Sequence, residues 1–159
     1  IKMSLMHFDW AAHQANMRPN KIAIKDFSLK KEISYYDLNV KASKIANYLK
    51  GRNIKTGDRL ALLAKNHSIF FELQFACAKL GVVLVPLNWR LTAPELSYIL
   101  GDCSPELLFF DSSFVNIVEE ILGSLPSLNI VEFDPFAEQD ELALTLNKES
   151  NEFSTVDMD

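Results

Sequence analysis

Short apolar runs alternate with amphipathic stretches along most of the chain. Apolar residues spaced three or four apart predict helices, and unbroken or alternating apolar runs of four to six residues predict strands. The predicted helices cover residues 7–17, 35–50, 69–80, 93–100 and 114–122. The predicted strands cover residues 21–26, 31–34, 59–64, 82–85, 107–110 and 128–132. This order predicts an α/β fold, a mainly parallel sheet with helices on both faces, preceded by a short hairpin.

Capping residues mark the ends of several predicted helices. Ser34 precedes Asp37 by three residues, and Thr92 stands in the same relation to Glu95, an arrangement typical of a helix start. Either Asn66 or Ser68 is expected to cap the third helix. Glycines are expected to end four helices at the left-handed position, namely Gly51, Gly81, Gly101 and Gly123.

The third helix and the strand after it are the most apolar part of the chain. Only Glu72, Gln74 and Lys79 interrupt the apolar surface of the helix, so we expect it to be buried on several sides. Residues 82–85, Val-Val-Leu-Val, are β-branched or apolar and carry no charge. They predict a central strand that is covered on both faces and that ends at Pro86.

Length and composition restrict the class of protein. A chain of 159 residues with 48% hydrophobic residues and a net charge of −5 predicts one globular domain rather than a disordered chain. No apolar run is long enough to span a membrane, and no secretory signal is evident. The chain begins with Ile1 rather than Met, so we expect that residues precede it.

Charge is distributed unevenly. Residues 137–159 carry seven acidic residues and one basic residue, a net charge of −6, whereas the rest of the chain has a net charge of +1. We interpret the acidic stretch as a solvated loop or as the frayed end of a cut chain. The neutral body has no basic surface for a nucleic acid. Cys77 and Cys103 form neither a disulfide framework nor a metal site, and Cys77 is expected to be a reduced residue of the core.

Polar triplets follow three of the predicted strands, at residues 66–68 (Asn-His-Ser), 88–90 (Asn-Trp-Arg) and 111–113 (Asp-Ser-Ser). Ligands of open α/β sheets bind at the carboxyl ends of strands, so these positions are candidates for a site. Helix capping and loop solvation are the alternative explanation, and His67 fits a surface or capping role better than that of a base.

The motifs of self-sufficient catalysis are missing from the chain. No two of its five glycines lie close enough for a phosphate-binding loop, and there is no G-x-S-x-G motif. The three histidines, His7, His13 and His67, are not at metal-ligand spacing. We therefore predict no catalytic, cofactor-binding or metal-binding residue within these 159 positions.

Five short motifs nevertheless occur in the order of a known family. They are Pro-Asn-Lys-Ile-Ala-Ile (19–24), Ile-Ser-Tyr-Tyr-Asp-Leu (33–38), the Asn-x-Ser helix start (66–68), Gly-Val-Val-Leu-Val-Pro-Leu-Asn-Trp-Arg-Leu-Thr (81–92) and Leu-Leu-Phe-Phe-Asp (107–111). Over about residues 8–134 the chain resembles the N-terminal subdomain of AMP-forming adenylating enzymes. The form closest to it is that of acyl-CoA synthetases, in particular the long- and medium-chain fatty-acid–CoA ligases.

The resemblance implies an activity for a longer enzyme. Such an enzyme joins a carboxylic acid, here a fatty acid, to ATP, giving an acyl adenylate and pyrophosphate, and then transfers the acyl group to CoA. ATP, Mg²⁺ and CoA are thus expected for the full enzyme, and none of them for this fragment. Asn88 and Arg90 are family-signature positions with an expected scaffolding role. The family's phosphate loop, adenine and ribose motifs and catalytic lysine would lie after residue 159.

Further expectations follow from the same resemblance. Residues 1–136 would form the subdomain, and residues 137–159 an acidic linker to the absent phosphate loop. The enzyme would be cytoplasmic, with peripheral attachment to a membrane as an option, and an apolar face left open by the missing part could support a homodimer. Two other hypotheses stay open. One is a free-standing α/β binding module, and the other a flavodoxin-like or receiver domain, which the strand end near Ala64 disfavours because it lacks acids.

Overall fold

The computed structural model describes residues 9–137 and 141–153. The helices are α1 (Trp10–Met17), α2 (Tyr35–Gly51), α3 (Ile69–Leu80), α4 (Ala93–Cys103), α5 (Val115–Ser124) and α6 (Glu141–Leu146). The strands are β1 (Ile22–Asp26), β2 (Lys31–Ser34), β3 (Arg59–Leu63), β4 (Val83–Pro86), β5 (Leu107–Asp111) and β6 (Ile130–Phe133). The predicted elements are all present, with ends that differ by up to three residues. Residues 7 and 8 of the first predicted helix, and residues 138–140 and 154–159 of the predicted linker, lie outside the described residues.

The sheet has the predicted parallel topology. Strands β4, β3, β5 and β6 lie side by side in that order, and every neighbouring pair is parallel. Strands β1 and β2 form the separate antiparallel hairpin. Each connection between consecutive parallel strands contains a helix, and these helices pack on the sheet.

Helices cover both faces of the sheet, as the sequence predicted. Along β5, Leu107 and Phe109 pack with α2, α3 and α6 on one face. Leu108 and Phe110 pack with α4 and α5 on the other. This alternation follows from the two-residue period of a strand, and it explains why β5 is apolar at consecutive positions.

The prediction that residues 82–85 form a central strand covered on both faces is wrong. Among the described strands, β4 lies at one edge of the sheet, and Val83 is 51% exposed. The central strands are β3 and β5, whose residues Leu60 and Leu108 are fully buried. A β-branched run indicates a strand, but it does not say how many neighbouring strands flank it.

The helix ends agree with the predictions only in part. Ser34 and the Thr92–Glu95 pair cap their helices, and Gly81 ends α3 with a φ of 70°. Gly51, Gly101 and Gly123, by contrast, lie inside the last turns of α2, α4 and α5. The left-handed residues after α2 and α4 are Asn53 (φ 63°) and Ser104 (φ 44°). Small polar residues tolerate this conformation, so a nearby glycine was not needed there.

Two of the polar residues expected to interrupt the apolar surface of α3 are in fact buried. Lys79 is only 1% exposed, and its Nζ donates to Asp9 Oδ2 at 2.7 Å and to Asn39 Oδ1 at 2.8 Å. Asp9 also accepts from the Ala12 N–H group and so caps α1. One lysine therefore joins α1, α2 and α3, whereas Phe71 on the same helix is 43% exposed.

Glu72 is the second buried charge of α3. Its carboxylate lies 3.6 Å from Lys41 Nζ on α2. Burial raises the pKa of Glu72, although the charge of Lys41 partly opposes this effect. Cys77, also on α3, is a core residue as predicted, and burial raises the pKa of its thiol to about 12. Both cysteines are free thiols.

The prediction of a solvated loop is wrong for residues 141–146 of the acidic stretch, whereas residues 147–152 lie in mostly exposed turns and irregular structure. Residues 141–146 form α6, and its Leu142 and Leu146 are buried against the core on the α2 side. Phe153 also packs against this core. The prediction failed for these residues because a high net charge does not exclude burial, and the three apolar residues among the acids contact one surface.

Candidate functional site

The predicted polar triplets meet along one edge of the sheet. Because β3, β4 and β5 are parallel, residues 66–68, 88–90 and 111–113 all follow carboxyl ends on the same side. A fourth segment joins them after β6, where Asp134 and Phe136 lie. The sequence prediction missed this segment, although the Asp-Pro pair directly after a strand was a usable turn signal.

His67 and Asp111 form the buried centre of this edge. His67 is 6% exposed, and its Nε2 lies 3.5 Å from Asp111 Oδ2. The ring of Phe136 packs edge-on against the imidazole, with centroids 5.7 Å apart. Neither ring nitrogen has a hydrogen-bond partner among the described residues. The expectation of a surface or capping role for His67 is therefore wrong, because residues from β5 and from the segment after β6 cover it.

Asp26 connects the hairpin to the same edge. Its Oδ2 accepts from the Ser68 N–H group at 2.7 Å and its Oδ1 from the Leu29 N–H group at 3.0 Å. Burial raises the pKa of Asp26, but these hydrogen bonds and the nearby His67 outweigh it and hold the pKa below its usual value. Ser68 is the N-cap residue of α3, as one of the two predicted alternatives had it, but its side chain makes no capping hydrogen bond. The Asp26 carboxylate accepts from the Ser68 N–H group instead, from 42 positions away.

The Asn88–Trp89–Arg90 segment forms a turn at the other end of this edge. The Arg90 N–H group donates to Asn88 Oδ1 at 3.1 Å, and the Arg90 guanidinium lies 4.3 Å from the Trp89 ring centroid. Trp89 also contacts Phe114, with ring centroids 6.3 Å apart. Asn88 and Arg90 are exposed, and each contacts a neighbour within its own triplet. These contacts shape the turn and place no charged atom against the His67–Asp111 pair.

Carboxylates occupy the backbone N–H groups that a phosphate would need at this edge. Asp26 accepts from Ser68, and Asp111 Oδ1 accepts from the Ser113 N–H group at 2.9 Å. Glu95 Oε2 accepts from the Thr92 N–H group at 2.8 Å, and this bond and that from the Thr92 hydroxyl lower the pKa of Glu95. A phosphate placed here would meet negative charge instead of free donors.

The described residues therefore do not fit ATP or its metal ion. Within residues 9–137 and 141–153 no group of three or more His, Cys, Asp or Glu side chains could hold a metal. Two cavities, of about 270 and 420 Å³, flank His67, and the first is lined by the acids Asp37, Glu72 and Asp134 as well as by two lysines. This mixture of charges favours neither a triphosphate nor a free cation.

Comparison with known proteins assigns the chain to a family. Residues 11–158 match the family model described as AMP-binding enzyme. The chain belongs to the AMP-binding enzyme family. The family resemblance and the α/β fold inferred from the sequence are thus confirmed.

Relatives within the AMP-binding enzyme family are ligases. A fatty acid–[acyl-carrier-protein] ligase, ScoC of Streptomyces coeruleorubidus, is 41% identical over 105 residues, covering 66% of this chain and 20% of ScoC. The indoleacetate–CoA ligase of Aromatoleum aromaticum is 32% identical over 126 residues, covering 79% of this chain and 24% of the relative. The chain thus spans about a quarter or less of the length of these curated relatives.

A solved structure has the same fold. The N-terminal domain of FACL13 from Mycobacterium tuberculosis, in an inhibitor-bound crystal structure, superposes with a TM-score of 0.82 at 26% identity. The superposition covers 97% of this chain and 38% of that one. In the described part of this AMP-binding enzyme family member, no helix has both the length and the apolar character needed to cross a membrane.

Proposed function

We propose that this chain is the N-terminal part of an AMP-forming ligase that activates a fatty acid with ATP and transfers the acyl group to CoA. The observation that carries the proposal is the match of residues 11–158 to the AMP-binding enzyme family. The ligase names of the relatives support the reaction type. Mg²⁺ would accompany ATP in the longer enzyme, where it would offset the charge of the phosphates.

Residues beyond this chain must hold the phosphates. At the carboxyl edge of the sheet, the N–H groups of Ser68, Thr92 and Ser113 already donate to carboxylates. Activation of a carboxylate needs donors that stabilise charge on the transferring phosphate, and these three N–H groups are already bonded to acids. We propose that residues 137–159 lead from the subdomain to those missing donors, and that the chain alone is inactive.

Asn88 and Arg90 have a scaffolding role in this proposal. They hold the turn after β4 through the Asn88 Oδ1 hydrogen bond and through the stacking of Arg90 on Trp89. Scaffolding predicts that Asn88→Ala in the longer enzyme lowers the melting temperature and leaves the KM for ATP within about twofold, since one such hydrogen bond contributes modestly.

An acyl carrier protein is a second candidate for the thiol that receives the acyl group. ScoC, at 41% identity, is named as a ligase for an acyl carrier protein. The indoleacetate and feruloyl ligases among the relatives are named for CoA and for aromatic acids. Fatty acid and CoA remain the proposal here, and an acyl carrier protein is the alternative thiol.

Association and location are also proposals. Trp10 and Phe71 expose large apolar surfaces near a cavity of about 680 Å³ between α1, β1 and α3. Exposed apolar area of this kind favours association, and a homodimer of the chain through this face is the simplest arrangement. We place the enzyme in the cytoplasm, with peripheral membrane attachment as an option. Light scattering over a dilution series tests the dimer.

Pyrophosphate release tests the proposed reaction. The longer protein is assayed with ATP, Mg²⁺ and fatty acids of increasing length, with indoleacetate and ferulate as alternatives, and the product is then offered CoA or an acyl carrier protein. We expect release with fatty acids, transfer to CoA, and no release by the 159-residue chain above a boiled control. Turnover by the chain alone, or no carboxylate-dependent release by the longer protein, would contradict the proposal and favour a free-standing binding module.

A further inference from the structure

The second half of α2 holds the polar segment that follows α6. Asn47 Nδ2 donates to the Ser150 carbonyl oxygen and to the Glu152 carbonyl oxygen, both at 3.0 Å. A side-chain amide carries two N–H donors, so one asparagine can make both bonds at once. These three residues are called the clasp below. Its partners are more than 100 positions apart in sequence, so the clasp fixes the end of the described chain onto α2.

Contacts on both sides of the clasp make it a defined attachment. Before it, Leu142 and Leu146 of α6 are buried against the core. After it, Phe153 packs against the same core, and Lys50 Nζ lies 5.8 Å from the Phe153 ring centroid. Between these apolar anchors, residues 147–152 are polar, and the Asn47 amide supplies the hydrogen bonds that join them to the body of the fold.

We propose that Asn47 is a positioning residue that sets where the chain leaves this subdomain, and thereby where the phosphate-binding residues of the longer ligase begin. The inference rests on the proposed function. The relatives are four to five times longer than the matched region, and the phosphate-binding residues of the proposed longer ligase would be placed relative to this exit. Asn47 touches no candidate site residue, and its influence would act only through the segment that it holds.

Simple geometry shows why one side chain can matter here. Released from the clasp, residues 147–153 could reach up to about 25 Å from Leu146, at about 3.5 Å per residue. The rate of phosphate transfer is sensitive to such movement, because a displacement of about 1 Å can lower the rate about a hundredfold. The anchor at Phe153 limits the excursion, so we expect a smaller loss when only the clasp is removed.

The test uses the full-length ligase with Asn47→Ala, Asn47→Asp and the control Asn129→Ala. Asn129 is a second exposed asparagine whose Nδ2 donates to a distant carbonyl, that of Glu106 at 3.3 Å, away from residues 147–153. Asn47→Asp keeps the size of the side chain but directs a carboxylate at two carbonyl oxygens, so its effect should exceed that of alanine. Hydrogen exchange of residues 147–153 measures the clasp directly and does not depend on activity.

Two half-reactions separate positioning from a general structural effect. With Asn47→Ala we expect exchange in residues 147–153 to accelerate on the order of tenfold, since two hydrogen bonds are lost. We expect ATP–pyrophosphate exchange to fall on the order of tenfold, with an unchanged KM for the carboxylate. Acyl transfer from supplied acyl adenylate should stay within about twofold of the unmodified enzyme, because that step needs no pyrophosphate site.

The contrary outcomes are equally specific. Unchanged hydrogen exchange in Asn47→Ala overturns the clasp, as does an equal acceleration in Asn129→Ala. Faster exchange with unaltered pyrophosphate exchange, or an equal loss in both half-reactions, overturns the positioning role. If the full-length enzyme shows no carboxylate-dependent pyrophosphate exchange, the proposed function is wrong. Hydrogen exchange still decides in that case whether the clasp exists.

Discussion

The two helical layers on either side of the sheet are held in different ways. In the α4–α5 layer the caps are local, since Thr92 pairs with Glu95 and Asp111 caps the turn at Ser113. Arg59 on β3 adds a long-range bond to the Cys103 carbonyl at the end of α4. In the α2–α3 layer the polar contacts join distant parts of the chain. Its long-range pairs are Lys79 with Asp9 and Asn39, Ser68 with Asp26, Lys41 with Glu72, and Asn47 with residues 150 and 152.

This difference explains where distant parts of the chain depend on one another. Local caps stabilise one helix end each and leave the rest of the fold unchanged. The long-range pairs instead attach α1, the hairpin and the acidic segment to a shared pair of helices. We therefore expect substitutions in the α2–α3 layer to loosen several elements together, and those in the α4–α5 layer to act on single elements.

The largest expected effect concerns the sheet that both layers share. Leu108→Asp places an unpaired charge on the central strand β5, where Leu108 is fully buried between β3 and β6. The cost is about 5 kcal/mol or more, which is enough to unfold a typical domain. Val83→Asp is the matched control, because Val83 is half exposed on the edge strand.

Urea denaturation of the two variants checks this prediction. The Leu108 variant should be unfolded or insoluble, and the Val83 variant should retain a cooperative transition within about 1 kcal/mol of the unmodified chain. If the two variants lost similar stability, β4 would not be an exposed edge.

Removing the charge of Lys79 should have the next largest effect. Lys79→Met keeps the length of the side chain but leaves Asp9 and Asn39 without their shared donor, at a cost of about 3 kcal/mol. Hydrogen exchange should then accelerate in α1, α2 and α3 together and stay slow in α4 and α5. Lys55→Met, at an exposed lysine, is the control. Loss of protection confined to α3 alone would show that the lysine does not join the three helices.

The sequence predicted the α4–α5 layer better than the α2–α3 layer for the same reason. The Thr92–Glu95 box is visible within four residues, and the apolar run of β5 gives its burial directly. Nothing near Ser68 in the sequence indicates that Asp26 caps its helix, and Lys79 looks like a solvent-facing residue of an apolar helix. Such contacts depend on which distant segments meet, and local patterns do not contain that information.

The sequence likewise predicted part of the candidate site at the carboxyl edge of the sheet and missed the rest. Positions 66–68, 88–90 and 111–113 were placed at strand ends because a parallel sheet brings those ends to one side. The burial of His67 was missed because Phe136 and Asp111 cover it from other parts of the chain. Carboxylates occupy the N–H groups of Ser68, Thr92 and Ser113, and the one at Ser68, Asp26, comes from the distant hairpin.

A pH-dependent effect should separate Asp26 from the local caps. Because the pKa of Asp26 is lowered on folding, its carboxylate stabilises the fold above its usual pKa of 3.8. That contribution is lost as the pH falls from there through the folded-state pKa. Asp26→Asn should therefore lower the stability at pH 7, and its difference in stability from the unmodified chain should disappear in acid.

Thermal unfolding of Asp26→Asn between pH 7 and pH 2 measures the change. Asp58→Asn is a suitable control, since the N–H bond that Asp58 Oδ2 accepts is local, that of Lys55. A deficit of the Asp26 variant that stayed constant over this range would show that its charge does not contribute through the cap of α3.

The smallest expected effect belongs to the local cap of α4. Thr92→Ala removes the hydroxyl that bonds Glu95 and should cost about 1 kcal/mol. Hydrogen exchange should accelerate in the first turn of α4 and remain unchanged in α2 and α3. Faster exchange throughout the α2–α3 layer would mean that the two layers are not stabilised independently.

Binding of MgATP tests the central claim most directly. Calorimetric titration of the 159-residue chain, next to the longer protein, asks whether this subdomain holds the phosphates by itself. We expect saturable binding by the longer protein and none by the chain at millimolar nucleotide, because carboxylates already occupy the N–H groups of Ser68, Thr92 and Ser113. Saturable binding of MgATP by the chain alone would contradict it.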